Sequence, residues 1–451
     1  MAEIGEGYNR WVLNEDLKIL LALEPVWTVS INGSEFIPAS TSDIEVHEST
    51  LRFRRQNRKI LNIDWLRPNV PRIRTHADVL TFYPGNVLPD KVESRRRRRG
   101  FQTQIAPAIA RFFGTRAAIK QSPGKSGTYP QFILGNHAVI SVDAEESTPI
   151  VCGIMRAAVA LSKRIPHRIA VVVPSHRSRT IVTRLHAMPA MRSGFDWLQW
   201  NGDSIEPLDM SLPDSETRVH DYRTPDVAAE VARICAIAPD LLQAVPYIPG
   251  NAVSIRFRGL EVAHVAESGT TYPMGEPLQP LIETLANERR HGSRHPLARA
   301  YEERWLESNL IRQIQDVLPV RSEWVYPQVP SFVGEDRNII DLLTMTEAGR
   351  LVVIEVKASP DPDLPFQALD YWLAVERHRK AGDFQAKGYF RDQVLRDEPA
   401  LLVAVAPLLA FHRTFDELLG MMPREVPFLQ IGINQSWKRE IKILRRKGTL
   451  R

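Results

Sequence analysis

Cysteine is nearly absent from this chain: 451 residues contain two, Cys152 and Cys235, and neither belongs to a CxxC pair. That excludes a disulfide framework and a cysteine-based zinc site. No apolar run is long enough to span a bilayer, and the opening MAEIGEGYNRW is not a signal peptide. The expectation is a protein of the reducing cytoplasm with no membrane attachment. HExxH and GxSxG motifs are missing, and the twelve histidines are scattered. Gly124-Lys125-Ser126 has the end of a phosphate-binding loop. However, Ile119 stands where that loop needs its first glycine, and Pro123 precedes Gly124, so the loop is excluded.

What is present is ordinary globular composition, 43% hydrophobic and 25% charged, in a chain long enough for two to four domains. The formal charge is +5 and the pI about 9.2, a modest excess that suits a polyanionic partner. The excess is clustered. Arg95, Arg96, Arg97, Arg98 and Arg99 form an unbroken run, and the C-terminal WKREIKILRRKGTLR is basic. Arginine clusters attract phosphate without reading sequence.

Along the chain, residues 1–92 read as a small β-rich module, with strand-like pieces at 26–31, 44–46, 51–54 and 78–82 and a turn signal at Asn32-Gly33. Residues 93–210 alternate helix and strand: a helix over 102–113, a strand over 137–145, a helix over 150–163, a strand over 168–173, a helix over 177–185 and a strand near 197–200. Residues 211–295 read as a connector with one small β unit. Thr224-Pro225 opens a predicted helix over 225–238, and Arg256 and Arg258 share one face of a strand or hairpin over 252–263, where they either touch a DNA backbone or simply face solvent. Residues 296–451 form the last domain, with a helix over 301–315 whose Leu306, Leu310, Ile311 and Ile314 make one stripe.

The chemistry concentrates between 337 and 371. Residues 337–343 predict a strand, Glu347-Ala348-Gly349 a turn, and 350–357 a second, nearly continuous apolar strand of the kind covered on both faces. Alternation puts Glu355 and Lys357 on one side of it, and the hairpin brings Asp341 beside Glu355. Two carboxylates at strand ends are natural ligands for Mg²⁺ or Mn²⁺, which keep waters and take phosphate oxygen for the remaining positions. Lys357 can orient a nucleophile or touch a phosphate. Gln367 and Tyr371, four apart, share one face of the following helix. Glu307, beside the apolar stripe of the helix over 301–315, is a further candidate acid, with Glu303 one turn away as its rival.

The order Glu307, Asp341, Glu355-Val356-Lys357, Gln367-x-x-x-Tyr371 resembles the PD-(D/E)xK nuclease superfamily, over roughly residues 300–435. The Gln-x-x-x-Tyr element looks like its RecB-like branch, and GRLVVIEVKASPDPDLPFQALDYW is similar to the nuclease half of NucS-like enzymes. Ile340 replaces the proline that names the motif. The resemblance implies an α/β fold with a restriction-endonuclease-like mixed sheet flanked by helices. It assigns Asp341, Glu355 and Glu307 as metal ligands, Lys357 as the catalytic lysine, and Gln367 and Tyr371 as the accessory motif. Aligning Ile140 with Ile354 sets Ser141 on Glu355 and Asp143 on Lys357, which suggests that 93–210 is a degenerate copy of the same fold: no acid lies between Gly114 and Asn136, and the lysine is gone.

The function implied is a metal-dependent deoxyribonuclease of repair, recombination or defence, with DNA as partner and a homodimer left open. A DNA-binding scaffold with a dead or conditionally activated site is the alternative. NucS-like similarity points to an endonuclease and Gln-x-x-x-Tyr to end processing. Strandedness is not written in the chain.

Overall fold

A computed structural model describes residues 17–448 apart from 19, 23–25, 32–34, 48, 68–69, 85–90, 115–119, 123–127, 213–217, 276, 334–335 and 413. The fold is mixed α/β with several sheets. The chain divides into two units, each assembled from separate segments. The first comprises 1–88, 221–327 and 434–442, and the second 89–220, 328–433 and 443–451. This differs from four consecutive domains: residues 296–327 group with the preceding segment rather than with the sheet that follows.

In the first unit, strands β1 (Val26–Ile31), β2 (Glu35–Ser40), β3 (Ile44–His47), β4 (Thr50–Phe53), β5 (Gln56–Arg67), β6 (Val70–Thr75) and β7 (Val79–Pro84) make one antiparallel sheet in the order β2-β1-β7-β6-β5-β4-β3. Alternate residues such as Trp27 and Val29, Leu51 and Phe53, Leu80 and Phe82 face a shared core, as the period of two requires. The twelve-residue β5, rich in polar and basic residues, has no clear apolar alternation in sequence. It is held by pairing on both sides and bulges twice. Asn32-Gly33 and Gly124-Lys125-Ser126 lie outside the described residues.

The second unit opens with the helix Lys91–Phe112. It starts well before the predicted 102–113 and carries the arginine run in its first half. Phe101, Ile105 and Ile109, four apart, bury one stripe against Phe132 and Val139. Strands β8 (Lys120–Ser122), β9 (Gln131–Leu134), β10 (His137–Ser141), β11 (Arg168–Pro174), β12 (Asp196–Trp200) and β13 (Ile205–Pro207) lie side by side in chain order. β10, β11 and β12 are parallel and the outer pairings antiparallel. The helix predicted over 150–163 is two helices, Thr148–Cys152 and Ile154–Ser162, broken at Gly153. There the Tyr129 hydroxyl donates to Ile150 O (2.8 Å) and occupies the space a Cβ would need.

Back in the first unit, β14 (Leu242–Tyr247), β15 (Ala252–Phe257), β16 (Leu260–Ala266) and β17 (Gly269–Thr271) form an antiparallel sheet packed by the helices Ala228–Cys235 and Leu278–Glu288. The first of these helices begins after Val227, not at Pro225. The β15–β16 turn is Arg258-Gly259, both with positive φ (45° and 85°), the signature of a tight two-residue hairpin.

Strands β18 (Tyr326–Val333), β19 (Asp336–Met345), β20 (Leu351–Val356), β21 (Leu401–Pro407), β22 (Phe428–Ile433) and β23 (Ile443–Gly448) again lie side by side in chain order. β19–β20 is antiparallel, β20–β21 and β21–β22 parallel, β22–β23 antiparallel. The β19–β20 turn closes at Gly349 (φ 92°), whose N–H donates to Thr346 O at 2.9 Å. The helix Leu364–Ala381 crosses from β20 to β21. The two six-stranded sheets of the second unit therefore share strand order and the sense of every pairing from the second strand to the fifth. Parallel strands joined by helices are covered on both faces, which is why β11, β20 and β21 are almost uniformly apolar.

Candidate functional site

β20 runs buried along its whole length and carries one charged residue, Glu355, 2% exposed. The register Leu342↔Ile354 puts Asp341 directly across the hairpin from it. Asp341 does not simply face its neighbour: its Oδ2 accepts the main-chain N–H of Val356 at 2.8 Å, which fixes the carboxylate at the sheet's end. Gln328 of β18 holds its Nε2 3.5 Å from the other oxygen. Where β20 stops, Lys357 N still donates to Val405 O (3.0 Å), so the lysine leaves the sheet from an anchored backbone. Its Nζ lies 3.1 Å from Glu355 Oε1 and 3.8 Å from Asp361 Oδ2.

The helix after β20 brings in the fourth group. Tyr371 is 8% exposed, and its hydroxyl pKa is pushed up by burial, then by the fields of Glu355 and Asp341, against the opposing pull of Lys357. All three charges therefore lie near enough to act on the Tyr371 hydroxyl. Gln367 sits half-buried one turn earlier. The structure thus brings Asp341, Glu355, Lys357 and Tyr371 together on the second unit, with Gln367 on the same helix. Asp361 was not singled out in the sequence. Its signal is its place four residues after Lys357, in the Pro360-Asp361-Pro362-Asp363 loop.

Glu307 belongs to the first unit. On the helix Glu302–Arg312 it is 1% exposed, and its Oε1 accepts from Arg256 Nη1 at 2.7 Å. Arg256 also donates to Ser254 Oγ. The expectation that Arg256 and Arg258 share an open strand face is corrected. Arg256 is buried in this ion pair. Arg258 lies in the turn, donates to Arg289 O and stacks over Phe257 and Trp305.

The arginine run is likewise spent internally in part. Arg98 grips Glu146 with two hydrogen bonds (2.7 and 3.0 Å), and Arg97 bonds Glu146 and lies 3.1 Å from Asp143. Burial raises the Glu146 carboxyl, but the bonds from Arg98 and Arg97 outweigh it and hold the group below the usual carboxylate range. Arg99 is exposed. The side chains of Arg95 and Arg96 lie outside the described residues. In the first six-stranded sheet, Ser141 takes the register position of Glu355, and its N–H donates to Pro130 O (3.1 Å). A proline therefore stands where Asp341 does, and the Asp143–Glu146 turn beyond is neutralised by arginines.

Among the described residues no three His, Cys, Asp or Glu side chains cluster as a metal site. The donor set at the end of β20 is two carboxylates, Asp341 and Glu355. This suits a hard cation that keeps several waters and fills its shell from a phosphate, and does not suit a closed structural site. No protein-family model and no curated protein matches the chain.

Proposed function

We propose that the second unit is a metal-dependent nuclease of the PD-(D/E)xK type, hydrolysing phosphodiester bonds of DNA, with its active site where the end of β20 meets the middle of β19. The observation that carries this reading is the convergence of Asp341, Glu355, Lys357 and Tyr371 at one end of a buried sheet. Burying charge at the end of an otherwise apolar strand costs desolvation even where it is paired, as Glu355 is with Lys357, and a catalytic role gives that cost a reason.

Asp341 and Glu355 would hold Mg²⁺ or Mn²⁺. When bound, the metal supplies an acidified water and neutralises charge developing on the phosphate. The protein's own part is positional. Val356 N–H orients Asp341. Lys357, anchored through Val405 and lined by Glu355 and Asp361, holds a cation beside the scissile phosphate. Tyr371, kept protonated by its surroundings, donates a hydrogen bond and does not act as a base. The first six-stranded sheet reads as an inactive copy of this one: it has proline and serine at the two carboxylate positions.

The test is incubation with circular and linear DNA, single- and double-stranded, with Mg²⁺, Mn²⁺ or EDTA, beside Lys357→Ala. Metal-dependent cutting that the variant loses by about 10³-fold supports the nuclease, and cutting of circles makes it an endonuclease. Salt-sensitive DNA binding without cutting by wild type leaves a scaffold.

A further inference from the structure

The second unit has a cavity of about 650 Å³ at the opposite end of the first six-stranded sheet from Ser141 and Asp143. It opens where β10, β11 and β12 begin, so His137, Arg168 and Asp196, the first residues of those strands, sit at its wall. The end of the helix Lys91–Phe112 supplies Phe112 and, just beyond it, Phe113. We infer that this cavity binds a nucleotide unit, base and phosphate together, presented by single-stranded nucleic acid. The strand as its source rests on the nuclease reading; the pocket chemistry does not.

Three observations carry the inference. Phe112 is 40% exposed, and among the described side chains no other Phe, Tyr or Trp is exposed. An exposed ring at a cavity mouth leaves apolar area in water, and a flat group stacked on it would recover that burial free energy. The ring is also braced: Phe113 packs edge-on to it at 5.1 Å and lies 5.0 Å from the His137 ring. Trp197 adds a further ring to the wall, tied by its Nε1 to Met191 O at 3.3 Å. Rigid rings of this kind form a stacking platform that every base can use.

The third observation is charge. Arg168 is neutralised by Asp196 at 2.6 Å, whereas Arg192, exposed on the same cavity, has no carboxylate within ion-pair distance among the described residues. The cavity therefore offers aromatic faces and one uncompensated guanidinium, the complement of a base joined to a phosphate. The volume falls within the range of about 300–1,000 Å³ typical of pockets that enclose a small ligand. A duplex cannot use such a site, because its bases are stacked inside it. A single strand can.

The experiment measures binding by fluorescence anisotropy in EDTA, at fixed salt. The probes are labelled oligothymidylate about twenty nucleotides long and a duplex of matching length, with thymidine monophosphate as competitor. Phe112→Ala should weaken oligothymidylate binding about tenfold, Phe112→Tyr should restore it, and Arg192→Ala should weaken it several-fold. Duplex affinity should stay constant. Both positions are exposed, and thermal melts check that the variants are folded. If the monophosphate binds in a Phe112-dependent way and the oligonucleotide does not, the nucleotide chemistry stands with a free nucleotide as its source. Wild-type binding by both alanine variants, or equal losses for single strand and duplex, overturns the inference. Because no cleavage is measured, failure of the nuclease reading shows separately, as absence of metal-dependent cutting by wild type.

Discussion

Arg184 and Asp370, 186 residues apart, form a two-pronged ion pair: Nη2 lies 2.6 Å from Oδ2 and Nε 3.0 Å from Oδ1. Both side chains are buried, and the guanidinium lies 5.1 Å over the Phe366 ring. Arg184 is on the helix Arg179–Ala187 that follows β11, and Asp370 is on the helix that follows β20. The two six-stranded sheets of the second unit are thus joined by a buried pair one residue from Tyr371. The planar fork fixes distance and orientation together, which a lysine cannot do.

Removing one partner leaves the other charge buried. Arg184→Met or Asp370→Leu alone should therefore cost about 3–5 kcal/mol of stability, while the double substitution should return most of it. Urea unfolding of the four proteins gives the coupling directly. Single variants that unfold at the wild-type midpoint would show that the pair does not hold these helices.

Tyr371 makes a prediction about pH. Its hydroxyl is raised above the ordinary value of 10.0 by burial and by the nearby carboxylates. The neutral phenol therefore persists at a pH where a free tyrosine is half ionised. Tyr371→Phe should lower cleavage without moving the alkaline limb of the pH–rate profile. A limb that shifts or disappears in the variant would mean that Tyr371 ionises during turnover.

Glu146 predicts the opposite end of the scale. Its folded pKa is depressed, so its contribution to stability is present above the unfolded carboxylate value of about 4.3 and is lost as pH falls through the folded value. Glu146→Gln should cost about 1–3 kcal/mol near neutral pH, the usual loss for a charged hydrogen bond. The gap from wild type should close as the solution is acidified. A gap that stays constant from neutral to acid would remove the charge from the explanation.

Much of the second unit could be read locally. β10, β11, β20, β21 and β22 announce themselves as apolar runs, and Gly349 as a turn, because burial on both faces leaves a pattern within a few residues. The order of Asp341, Glu355 and Lys357 along a hairpin was enough to place them together. Partner choice was not legible. Arg98 with Glu146, Arg184 with Asp370, and Arg256 with Glu307 are separated by 48, 186 and 51 residues, and no spacing rule reaches that far. For this reason an arginine run looked like a free cationic surface when Arg97 and Arg98 are tied to Glu146. The grouping of residues 302–312 with 434–442 was hidden in the same way. It rests on Asn309 donating to Trp437 O (3.0 Å) and on the Trp305–Trp437 edge contact at 6.0 Å.

Glu307 offers the sharpest discrimination between a structural and a metal-binding acid. Its carboxylate is engaged by Arg256, both side chains are buried, and Arg256 is itself held by Ser254. If this pair is the reason for the acid, Arg256→Met should cost about 3–5 kcal/mol by stranding the carboxylate. Glu307→Gln should cost less, about 1–3 kcal/mol, because the amide oxygen still accepts. Cleavage per folded molecule should fall less than about tenfold in Glu307→Gln, against about 10³-fold in Glu355→Gln. The measurement is paired urea unfolding and single-turnover cleavage of both variants at saturating Mg²⁺. A Glu307→Gln protein as stable as wild type but as inactive as Glu355→Gln would make Glu307 a metal ligand and relegate its bond to Arg256 to a resting arrangement.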